Sequence, residues 1–186
     1  LCLYDTLVKV PLIIARPGAT KPIRVPQMIG LIDLAPTLLH LAGIREEQID
    51  AEFQGQDIFE AIESGHFSPF AVSELYPNQG KPFKAKVPEF MPEFERRFDR
   101  LLRMYRTNTH KFIWSSNGEH ELYDLLRDPV ESTKLIREDS RLVAEMQRGL
   151  DEWLVSFQHA DATSPSQPDV ADDDLTQQRL RDLGYI

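Results

Sequence analysis

At 186 residues, with 41% hydrophobic and 27% charged residues, the chain has the size and balance of one globular domain or slightly more, which excludes a wholly disordered polypeptide. Its 30 Asp and Glu outnumber 21 Lys and Arg, and the net charge of -9 argues against nucleic acid and anionic membrane as general partners. A single cysteine, Cys2, excludes an intramolecular disulfide framework, and no apolar run reaches the roughly 18 residues of a membrane span.

In chain order, VPLIIA at residues 10–15 is short, apolar and β-branched, and it is bounded by RPG. It predicts a strand buried on both faces, which requires neighbouring strands and covering layers. The opening stretch carries Asp5 and Lys9 and lacks the basic start of a signal peptide, so the compartment stays open. Residues 33–42 predict a helix: Asp33 caps the first amides, Pro36 is tolerated in the first turn, and Gly43 supplies the stop. Leu34, Leu38 and Leu41 share its apolar face. EFQGQDIFEAIESG predicts a turn and a short helix with Ile58, Ala61 and Ile62 inward.

Residues 70–76, FAVSELY, have strand propensity, whereas the Pro- and Lys-rich segment 77–98 has no steady period and predicts a long surface loop or insertion. The ambiguous ERRFDRLLRMYRT resolves toward a strand from Arg100 onward. Pieces at 102–106, 111–114 and 121–123 flank the turns TNTH and SNGE, connections too short for parallel crossovers, so they pair antiparallel. After RDPVES a helix follows over residues 139–157, its apolar face made by Val143, Met146, Leu150, Trp153, Leu154 and Phe157. A helix on a small antiparallel sheet is a stable two-layer unit. Residues 159–174 read as a linker by composition, and Leu175, Leu180, Leu183 and Ile186 give the last segment, 175–186, an amphipathic pattern that docks on the body.

Chemistry-bearing residues are sparse. His40 reads as a helix residue rather than a ligand, and His66 as a surface turn residue. His110 and Lys111 sit together at the mouth of a hairpin turn, where they could meet an anionic substrate, against the plainer reading of solvated turn residues. His120 and His159 lack a partner at ligand spacing. Glu46–Glu47 and the run Asp172 to Asp174 are solvated faces, without calcium-loop spacing. Cys2 has no supporting His and reads as a buried core residue, while Tyr4, Asp5 and Thr6 suit core packing or the edge of a neighbouring site. No G-x-S-x-G, Walker loop or dinucleotide fingerprint occurs. From chemistry alone, nothing in the chain composes a catalytic site.

LYDTLVKVPLIIARPG, VPQMIGLIDLAPTLLHLAGI and FQGQDI, followed by RTNTHKFIWSSNGEHELYDLLRDPVES and a final LRDLGYI, resemble in order the C-terminal half of sulfatases of the alkaline-phosphatase-like superfamily. The resemblance implies an α/β fold: the C-terminal portion of an alkaline-phosphatase-like sandwich, then a small antiparallel β-sheet packed with a long helix. Residues 1–68 would complete the large catalytic domain, with 10–15 a strand of its sheet, and 69–158 would form the smaller subdomain. Such enzymes hydrolyse sulfate esters with a formylglycine made in a C/S-x-P-x-R motif, which is absent from this sequence. The resemblance therefore implies that the nucleophile lies upstream, in a catalytic portion that would be this chain's partner, and that the 186 residues alone are inactive. It likewise implies a divalent cation, usually calcium, bound outside this chain, and no catalytic or metal residue is carried over. Two other classes stay open: a phosphodiesterase or phosphonate monoester hydrolase of the superfamily, and a noncatalytic stand-alone protein.

Overall fold

The computed structural model describes residues 2–16, 18, 21–44, 53–77 and 100–163, with side chains to residue 156. Four strands form one antiparallel sheet in sequential order: β1 (Ala71–Leu75), β2 (Leu102–Arg106), β3 (His110–Ser115) and β4 (Glu121–Asp124). Met104 pairs with Ile113, and Lys111 with Tyr123, which fixes which side chains share a face. Gly118, at φ 83°, supplies the left-handed turn between β3 and β4.

On one face Leu102, Met104, Ile113 and Tyr123 bury with Leu125 and Leu3, and Tyr4, Val8 and Leu75 pack against them. On the other face Phe112 and Leu122 are fully buried, and Tyr105 stacks on Phe70 with ring centroids 5.0 Å apart. Helix α4 (Ser140–Thr163) approaches this second face, burying Met146 and Leu150. Gly149 permits the approach, since a Cβ there would stand 2.7 Å from the Tyr105 ring. The expected sheet-and-helix unit is present. The helix continues to Thr163, beyond the expected end at 157 and into the start of the segment whose composition reads as a linker. The chain divides into two compact units after Leu150, and in the second the Ser156 hydroxyl donates to the Trp153 carbonyl at 2.7 Å. The insertion beyond residue 77, Glu46–Glu47, the Asp172 to Asp174 run and the tail 175–186 lie outside the described residues, as do the side chains of Phe157 and His159.

Ahead of the sheet come a single turn α1 (Asp5–Val8), a 3-10 turn (Leu31–Asp33) that runs into α2 (Leu34–Leu41), and α3 (Ile58–Ser64). The helix expected over 33–42 forms, but turned differently. Leu38 is 57% exposed, and Asp33, Pro36 and Thr37 are buried in place of the leucine stripe. Polar residues bury because their bonds are complete. The Asp33 carboxylate does not cap α2; it accepts from Gly30 N–H at 2.8 Å and Gln56 N–H at 2.9 Å. Thr37 donates to the Asp33 carbonyl and accepts from Ile58 N–H at 2.9 Å, joining α2 to α3. Gly55 makes the junction possible, because a Cβ there would meet the Ile32 carbonyl oxygen at 2.1 Å. In α3, Ile58 and Ala61 bury as expected, while Ile62 is half-buried.

Residues 10–15 correct the expectation of a buried strand. They carry no regular structure, and Val10, Leu12 and Ile13 are exposed, Ile13 to 91%. Their apolar, β-branched composition demands pairing partners, and among the described residues no strand pairs with them.

Candidate functional site

Among the described residues, two clusters of ionisable groups bear on a candidate site. The first surrounds Lys111, whose alternation along β3 turns it inward and its neighbour His110 to the opposite face. The Lys111 side chain is completely buried. Its ammonium contacts the Asp5 carboxylate, lies 2.7 Å from Glu131 Oε1 and donates to the Leu3 carbonyl at 3.2 Å. Glu131 Oε2 accepts from Asp5 N–H at 2.6 Å, and the Arg106 guanidinium reaches Asp5 at 3.3 Å. Two cations and two carboxylates thus neutralise one another, the arrangement that a buried ammonium requires. Burial pushes the Asp5 carboxyl upward, but hydrogen bonds from Lys111 and Arg106 outweigh it and hold the group below its ordinary range.

Glu131 reaches this cluster from a left-handed backbone at φ 56°, a conformation that costs a non-glycine residue about 1–2 kcal/mol. The turn before it holds that shape: Glu131 N–H donates to the Asp128 carbonyl at 3.1 Å, and the Asp128 carboxylate accepts from Thr133 N–H at 2.7 Å. Beside the cluster, Glu121 Oε2 receives the hydroxyls of Tyr123 at 2.6 Å and Tyr4 at 2.9 Å, and Oε1 receives Lys134 at 2.9 Å. Burial would raise the Glu121 pKa, yet these bonds lower it below the usual carboxylate range. The Tyr123 hydroxyl is pushed up, first by burial and then by its bond to Glu121. This network fastens the segment from Leu3 to Asp5 onto the sheet.

His110 and Lys111 are therefore not brought together. His110 is half-buried, with Nδ1 2.9 Å from the Thr109 hydroxyl. His66 is exposed, and Cys2 is half-buried. His120 Nδ1 accepts from Ser115 N–H at 3.1 Å, and its ring stacks on Trp114.

The second cluster joins the end of α2 to the start of α3. His40 Nδ1 lies 2.9 Å from Asp57 Oδ2, while Asp57 Oδ1 caps α3 by accepting from Phe59 N–H at 2.8 Å. Glu60 stands one turn further along α3, and each of the three residues offers a ligand atom within 4.8 Å of the others. This corrects the expectation that any divalent cation is held outside the chain: a candidate metal-binding cluster lies within it. The donors do not fit calcium, which takes six to eight oxygens, because one of the three is an imidazole nitrogen.

A family model, N-sulphoglucosamine sulphohydrolase, C-terminal, matches residues 2–160. The chain belongs to this family. It is similar to arylsulfatase K of Bos taurus, 30% identical over 137 residues, covering 72% of this chain and 23% of that protein. The human arylsulfatase K gives 29% identity over the same length and shares. A solved structure described as a 2-O GAG sulfatase superposes at a TM-score of 0.52 with 25% identity, covering 74% of this chain and 27% of that one. The chain thus spans about a quarter of the length of the relatives it matches.

Asp5, Lys111 and Glu131, far apart in sequence, meet in one cluster, and Tyr4 joins Glu121 beside it. Sequence reasoning missed both clusters. It singled out Lys111 for its position beside a turn, whereas strand alternation with Ile113 was the available signal that it points inward. His40 reads from the sequence as a helix residue rather than a ligand, and its carboxylate partner Asp57 arrives only when the two helices pack. The helix-opening QDIFE pattern, with Asp57 at the cap and Glu60 one turn on, was the only local hint. No helix among the described residues is long and apolar enough to cross a membrane.

Proposed function

We propose that this chain is the C-terminal part of a sulfuric ester hydrolase, which completes the fold of a catalytic portion carrying the formylglycine nucleophile. The observation that carries the reading is coverage: the family model matches residues 2–160, yet the chain spans 23% of the arylsulfatase it resembles. The geometry supports it. The apolar run at 10–15 is exposed where its composition calls for strand partners, and it continues directly from the segment fastened by Lys111 and Glu121. On this reading residues 1–68 belong to the large α/β domain and the sheet-helix subdomain, 69–158, buttresses it. Of the two residues at the hairpin, His110 shapes the substrate mouth, and Lys111 acts through the buried network.

The chemistry of ester hydrolysis needs charge stabilisation at the transferring group and an activated nucleophile. Among the described residues, those around Lys111, Arg106 and Cys2 supply neither at an open site. Lys111 and Arg106 are committed to carboxylates, and Cys2 lacks a base. On this reading the contribution of the chain is positional.

The test is substrate turnover by the native protein purified from its source, with its intact mass measured. Release of 4-nitrophenol from 4-nitrophenyl sulfate by a species longer than 186 residues is expected. Turnover of bis(4-nitrophenyl) phosphate alone would replace sulfate with phosphodiester chemistry. Turnover by a species of 186 residues would overturn the proposal.

A further inference from the structure

The cluster of His40, Asp57 and Glu60 has no part in the function proposed above, and its donor set disagrees with the calcium implied by the family resemblance. We propose that it binds a divalent transition ion of the zinc class, which pins the C-terminal end of α2 to the N-terminal end of α3. One imidazole nitrogen and two carboxylate oxygens form a borderline donor set that suits zinc, with a fourth position left for water.

Geometry prepares the two inner donors. The Asp57 side chain is 3% exposed and that of His40 10%, so the cost of withdrawing them from water has been met by folding. Asp57 Oδ1 accepts from Phe59 N–H at 2.8 Å, and Oδ2 lies 2.9 Å from the imidazole. The 2.9 Å between His40 Nδ1 and Asp57 Oδ2 is a few tenths of an ångström short of the separation of adjacent ligands on a tetrahedral zinc, about 3.3 Å. Replacing the bridging proton by the ion therefore needs only a small side-chain movement. The supporting bonds Thr37 to Ile58 and Asp33 to Gln56 hold the two helix ends in place while the ion enters. Glu60 is exposed and completes the set from the solvent side, so the ion has a path in.

A hydrogen bond between His40 and Asp57 would join the helices without any ion, and Glu60 separates the two accounts. Zinc chloride is titrated into the protein by calorimetry, and the melting temperature is followed with and without zinc. Saturable one-to-one binding and a raised Tm are expected, with no response to calcium at the same concentration. Glu60→Gln, at a surface position that leaves the His40–Asp57 contact intact, is expected to weaken zinc binding at least about 10-fold while keeping the circular dichroism spectrum. Glu63→Gln, outside the cluster, should leave binding unchanged. Absence of saturable zinc binding overturns the proposal. So does equal affinity in Glu60→Gln, or loss of binding in Cys2→Ser with Glu60 intact.

Discussion

Lys111 Nζ lies 2.7 Å from Glu131 Oε1, with 0% and 2% of the two side chains exposed. A charge at that depth needs a partner of opposite sign, and each supplies one to the other. Substituting Lys111→Met keeps the volume but takes the ammonium from the buried Glu131 carboxylate and leaves Asp5 to Arg106. The expected loss is about 3–5 kcal/mol of unfolding free energy, the usual cost of breaking a buried pair from one side. Urea denaturation of the two proteins measures it, and a loss below about 1 kcal/mol would remove the cluster from the account.

Glu131 poses a sharper comparison, because its backbone is left-handed. Glu131→Gly relieves strain of about 1–2 kcal/mol and still removes the carboxylate that holds Lys111 and Asp5 N–H. The account predicts net destabilisation, with Asn at 131 no better, since relieving strain does not replace the lost charge. A gain of stability in Glu131→Gly would mean that the ion pair contributes less than the strain.

At the junction of α2 and α3 the constraint is steric. Gly55→Ala places a methyl against the Ile32 carbonyl, a backbone atom that cannot swing away. The substitution should cost roughly 1–3 kcal/mol and loosen the Gln56 to Asp33 bond. Faster exchange of the Gln56 amide, measured by NMR, would report the second effect; unchanged exchange would contradict it.

Acid should weaken the fold in two stages. His120 is held below its ordinary pKa by burial, and its Nδ1 is occupied as an acceptor from Ser115 N–H. As pH falls below about 6.5 the unfolded chain takes up a proton at this site before the folded chain does, so stability declines. His120→Gln, which retains an acceptor, should flatten the change in urea midpoint between pH 7.5 and 5.5. Further down, Asp5 and Glu121, both held below their usual range, lose their contribution as pH falls below about 4 and through their folded values. A midpoint in His120→Gln with the same pH slope as the parent would exclude the first stage.

The sheet and its helix were legible because local signals agreed. Alternation in RMYRT and KFIW, the turns TNTH and SNGE, and the long stripe through Met146 and Leu150 all point to one arrangement. What escaped was decided by tertiary partners. Lys111 meets Asp5 106 residues away, and strand alternation alone cannot announce that a lysine has been neutralised. The leucines of α2 looked like a core face, yet Asp33 and Thr37 bury instead because Gly30, Gln56 and Ile58 offer backbone donors. Residues 10–15 read as buried from composition, and the described residues leave them uncovered. The candidate metal cluster draws on two helices, so no spacing motif could display it whole.

The central claim is that this chain completes a larger catalytic fold through its exposed apolar run. Amide hydrogen exchange at Val10, Leu12, Ile13 and Ile14 tests it most directly, measured in the native protein and in the 186-residue chain alone. The account predicts rapid exchange in the isolated chain and exchange slowed at least about 100-fold in the native protein, where a sheet covers the segment. Equally rapid exchange in both would contradict it.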